Sequence, residues 1–110
     1  MFAQRARAVA GRLGVAAEGL SPADALTHSW NAGDVVLVQA TLRPDRQLDL
    51  VQRLLARQPA PTVVAVTGHL ETELRRRLKA AGATLAAHSA MDRTVARALG
   101  VSDDAPRGHS

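Results

Sequence analysis

Two short runs, Val35-Val36-Leu37-Val38 and Val63-Val64-Ala65-Val66, constrain this chain more than anything else in it. Neither alternates apolar with polar residues. A strand with one wet face must alternate, so an unbroken Val-rich run reads as a strand covered on both faces, the habit of parallel sheets. Between the runs, residues Gln47 to Gln58 place Leu48, Val51, Leu54 and Leu55 at helical spacing, and Pro59 and Pro61 end that helix. Strand, helix, strand is a right-handed crossover unit, which predicts helices on both faces of a parallel sheet.

The flanking segments extend the pattern. Phe2 to Leu13 predicts a helix with Phe2, Ala6, Val9 and Leu13 on one face, closed by Gly14. Val15 to Leu20 reads as a short strand. Ser21 caps a second helix that runs from Pro22 to about Trp30. The buried strands run Asp34–Gln39 and Thr62–Val66. Leu70 to Ala81 is a helix with Leu70, Leu74 and Leu78 inward and Gly82 at its end. Thr84 to Ala87 is a third downstream strand. Ser89 is placed to cap a last helix, Ala90 to Leu99, with Met91, Val95 and Leu99 inward. The expected organisation is one α/β domain over residues 1–101, with about four strands and five helices, and a flexible polar tail over 102–110.

Composition removes several classes. With no Cys, disulfides, thiolate catalysis and thiolate-bound zinc are excluded. No apolar run approaches the roughly 18 residues of a membrane span, and the Arg-rich start does not read as a secretory signal. Phe2 and Trp30 are the only aromatics, which argues against base-stacking platforms. Thirteen of the 14 basic residues are Arg, Lys79 being the exception, and the net charge is +4. That excess permits a basic patch, but no helix-turn-helix is legible to use it on a duplex. No Ser/His/Asp triad or phosphate-binding glycine loop can be named, and four His without Cys give no metal-ligand spacing.

In such a sheet, function gathers at the C-terminal ends of the strands. Here those ends are Gln39, Thr67 and His88. Their spacing, the stretch Val63-Val64-Ala65-Val66-Thr67-Gly68, and the run from Leu70 to Ala83 with its closing Ala81-Gly82-Ala83 resemble the receiver domain of two-component response regulators over about Phe2 to Leu99. The resemblance implies a flavodoxin-like, three-layer fold. It also implies a phosphoacceptor Asp where this chain has Gln39, a hydroxyl residue where it has Thr67, and a Lys where it has His88. An amide is neutral and cannot form an acyl phosphate, nor is it an anionic ligand for Mg²⁺. His88 carries only part of a charge at neutral pH. The aromatic of the family's fifth strand is replaced near Leu85, and Asp34 and Asp45 are no substitutes for the nucleophile: Asp34 opens its strand at the far end, and Asp45 reads as a solvated turn residue. His69 reads as an exposed loop residue.

The resemblance further implies that Met1 and Phe2 fall near the family's first helix, so that its first strand and acidic Mg²⁺ pair are missing. Asp34 to Val38 would then present an open edge unless Val15 to Leu20 slides over to pair with it, or a second chain completes the sheet; a four-stranded domain or a dimer is expected. The functional expectation is a phosphorylation-independent pseudo-receiver, not an enzyme, needing no cofactor or metal. It would act in the cytoplasm on a protein partner or a second copy, in bacterial signalling or transcriptional control. Family dimers form through the fourth helix, fifth strand and fifth helix, which corresponds to Arg75, Arg76, Lys79, Arg93 and Arg97 here. The alternative is a small-ligand sensor using a Gln39/Thr67/His88 pocket.

Overall fold

A computed structural model of the chain describes residues 2–100 except Ala16, Ala32, Leu42 and His69, with only the backbone described at Phe2 and Ala3. The expected tail over 102–110 and the expected loop position of His69 lie outside the described residues. The elements are α1 (Phe2–Leu13), α2 (Pro22–Thr27), β1 (Val35–Gln39), α3 (Pro44–Leu55), β2 (Thr62–Thr67), α4 (Thr72–Ala81) and β3 (Thr84–Ala87). A 3-10 turn (His88–Ala90) and α5 (Met91–Leu99) follow. The sheet is parallel throughout, in the order β1-β2-β3, with Val36 opposite Val63 and Val66 opposite Ala86.

The two Val-rich runs are covered on both faces, as their sequence predicts. Val38, Val63 and Ala65 pack with Leu50, Val51, Leu54 and Leu78 of α3 and α4, joined by Ala25 of α2. Val64, Val66 and Ala86 pack on the opposite face with Val9 of α1 and Met91 and Val95 of α5. The result is three layers: α1 and α5, the sheet, and α2 to α4.

Among the described residues the sheet has three strands, not four. Among the described residues of 15–20 there is no strand. The Val15 N–H is used to close α1 by donating to the Ala10 carbonyl at 2.9 Å, around Gly14 in the left-handed conformation. Ala17, Glu18 and Gly19 are exposed, and these residue types hold strand geometry poorly. Helix boundaries shift for similar local reasons. Ser21 does cap α2, accepting the Asp24 N–H at 3.1 Å. That helix ends at Thr27 because side chains take the carbonyls of its last turn and exit: Trp30 Nε1 donates to Ala25 O at 2.8 Å, and Arg57 donates to Leu26 O and His28 O. Helix α3 starts earlier than its apolar spacing suggests, with Pro44 at its first position and Asp45 in its first turn rather than in a loop. Helix α4 starts at Thr72, so Leu70 stands outside it and is 82% exposed instead of inward. Ser89 lies in the 3-10 turn, and α5 has no side-chain cap.

Candidate functional site

The pleat decides what can meet at the C-terminal end of the sheet. In β2, Val63 and Ala65 face α3 and α4 while Val64 and Val66 face α1 and α5. Thr67 continues the first set. In β1, Val35 and Leu37 face α1 and α5, and Gln39 continues that set, opposite Val66. Alternation therefore sends Gln39 and Thr67 to opposite faces of the sheet. Thr67 neighbours Ala40, whose N–H extends the ladder to Val66 O at 2.9 Å. His88 sits beyond β3, where its backbone carbonyl accepts from the guanidinium of Arg5. No hydrogen bond joins Gln39, Thr67 and His88 among the described residues.

Thr67 instead belongs to a network that the sequence reading did not assemble. Its side chain is fully buried, and its hydroxyl accepts from Arg75 Nη1 at 2.7 Å. Next to it, Glu71 Oε2 accepts the Gly68 N–H at 2.6 Å and the Thr41 hydroxyl at 3.1 Å. One carboxylate thus ties the loop after β1 to the loop after β2. The legible signal was the spacing Gly68-x-x-Glu71, that of a carboxylate reaching back three residues to a backbone donor. Arg43, between β1 and α3, adopts a left-handed backbone with φ of 53°, the sole non-Gly residue with positive φ among those described.

The expected interaction face divides. Arg76, Lys79, Arg93 and Arg97 are exposed, on α4 and α5. Arg75 is half-buried, its guanidinium donating to the Thr67 hydroxyl. Arg76 and Arg77 both pair with Glu73, at 2.6 and 3.0 Å. The hydrogen bond from Arg76, then that from Arg77, holds the Glu73 carboxyl below its ordinary range, and the same pair raises Arg76.

A concavity lies elsewhere, along β1. It has a volume of about 790 Å³. Asp34, the whole of β1, Val15 and residues 17–20 line it. Ala6, Arg7 and Ala10 of α1 and Val95 and Leu99 of α5 flank it on one layer; Ala25 and Leu50 flank it on the other. Asp34 stands at the N-terminal end of the strand, and Gln39 and Arg43 at the other. Among the described residues no group of three or more His, Asp or Glu is arranged to hold a metal, and no helix is long and apolar enough to cross a membrane.

Comparison with known proteins finds no matching family model, no matching curated protein and no matching solved structure. The architecture of the described residues is an α/β domain on a three-stranded parallel sheet with five α-helices.

Proposed function

We propose that this chain is a phosphorylation-independent, receiver-like interaction module that works through contact with another polypeptide and not as an enzyme. The observation that carries this reading is the open edge of β1, set in a groove between two helical layers. An unpaired edge is a template for another chain. The layer arrangement, with α1 and α5 on one face and α2 to α4 on the other, supports the flavodoxin-like and receiver-like comparison drawn from Gln39, Thr67 and His88. A bacterial signalling or transcriptional setting in the cytoplasm follows from that comparison alone. Gln39 offers no carboxylate for phosphoryl attack, and the Thr67 hydroxyl is engaged by Arg75.

Incubation with acetyl phosphate or a histidine kinase tests it directly. Intact-mass analysis is expected to show no phosphoryl adduct; a labile adduct on Asp34 or Asp45 overturns the reading. A second reading has one observation behind it: a cavity of about 790 Å³ falls in the size range of small-molecule sites. A ligand sensor built there would use Gln39 and the β1 groove, without Thr67. A rise in melting temperature with a metabolite would support it.

A further inference from the structure

The backbone of β1 specifies what its groove accepts. Ala40 N–H donates to Val66 O, and Asp34 O accepts from Thr62 N–H at 2.8 Å. Along a strand the amide and carbonyl of one residue point the same way, and successive residues alternate. The even-numbered residues Asp34, Val36, Val38 and Ala40 therefore face β2. Val35, Leu37 and Gln39 turn three N–H donors and three carbonyl acceptors into the groove. Among the described residues no strand pairs with them. The cavity beside β1 is flanked by residues of helices from both layers.

We infer that the β1 groove is a receptor for one extended, apolar polypeptide segment, which inserts parallel to β1 as the sheet's fourth strand. The inference rests on the interaction reading and names the partner's chemistry. The segment is apolar on both faces, because Val35 and Leu37 lie under α1 and α5 while Val36 and Val38 lie under α2 and α3. Its ends are fixed by charge: a basic residue first, beside Asp34, and an acidic residue last, beside Arg43. Residues 101–110 of this chain, with Val101 and Ala105 as the apolar residues among two Ser, two Asp, Pro, Arg, Gly and His, do not match that description. A second copy pairing through its own β1 edge is the competing occupant, and the mass of the complex distinguishes the two.

The test uses the full chain and a fluorophore-labelled synthetic hexapeptide with Lys first, four Val or Ile residues, and Glu last. Anisotropy is expected to show saturable binding. The reversed peptide is expected to bind at least about tenfold more weakly. So is a version N-methylated at alternate residues, a loss equal to one or two net backbone hydrogen bonds. Amide exchange read by NMR is expected to be fast at Val35, Leu37 and Gln39 in the free chain and slow in the complex, with Val36 and Val38 slow in both. Ala17→Trp, at an exposed loop position lining the groove, is expected to abolish binding while leaving the melt unchanged. Arg43→Glu is expected to weaken the Glu-ended peptide and to regain affinity when that residue is Lys. Equal binding of all three peptides, no binding, or slow exchange at Val35, Leu37 and Gln39 in the free monomer overturns the inference. Protection that appears only as the chain doubles in mass also overturns it, since the occupant would be a second copy. That result leaves the interaction reading standing, which phosphoryl labelling of an Asp would overturn without involving the groove.

Discussion

Thr67 shows how one side chain can change meaning between sequence and structure. Its position at the end of a buried strand was legible, and so was its hydroxyl. Its direction was not, because direction depends on the parity of β2 against two cores. The hydroxyl is buried against α4 and bonded to Arg75. Arg75→Met leaves that hydroxyl without its charged donor, and is expected to cost about 1–3 kcal/mol. Thr67→Val combined with Arg75→Met is expected to cost less than the two singles summed, since both remove one bond. Urea denaturation of the four proteins measures this; strict additivity would mean the bond contributes nothing. Arg43 makes the opposite prediction. Its left-handed backbone at φ 53° is costly for a side chain with Cβ. Arg43→Gly is expected to raise stability by about 0.5–1 kcal/mol, the relief of strain less the flexibility of Gly. A fall in the urea midpoint would show that the guanidinium contributes more than the strain removes.

At the scale of elements, the long amphipathic helices and Val-rich strands were legible, and the short or irregular segments were not. Apolar spacing fixes a helix's buried face, but its ends are settled by partners distant in sequence. Arg57, from beyond α3, stops α2, and no reading of residues 22–30 contains Arg57. Capping by Ser21 was legible because its partner, Asp24, lies three residues on. Ser21→Ala is expected to cost about 1 kcal/mol, which a urea titration detects. On α4, Glu73 is lowered in the folded chain by Arg76 and Arg77. A carboxyl lowered by folding binds fewer protons folded than unfolded. Its stabilisation is present above the ordinary value of 4.5 and disappears as pH falls through the folded value. The melting-temperature gap between the native chain and Glu73→Gln is therefore expected to be small at neutral pH and to close on acidification. A gap that widens in acid would mean the pair is not formed in solution.

At the scale of the whole molecule, the order β1-β2-β3 leaves β2 central and gives β1 a free side. One consequence is uneven stability. Leu54, Leu78 and Met91, all fully buried, knit the helices to β2, while α1, Val15 and residues 17–20 border a groove. Backbone exchange is expected to be slowest in β2 and faster at the outward amides of β1. What the sequence by itself determined was the class: two strands without polar alternation, joined by an amphipathic helix, can be satisfied only inside a parallel, two-sided sheet. Local periodicity carries that information because each residue's burial is set by its own element. Only the tertiary structure decided how many strands there are, which way Gln39 and Thr67 face, and that Arg75 turns inward. Each of these depends on register and on contacts between segments far apart in the chain, where the number of possible partners is large and no local pattern selects among them.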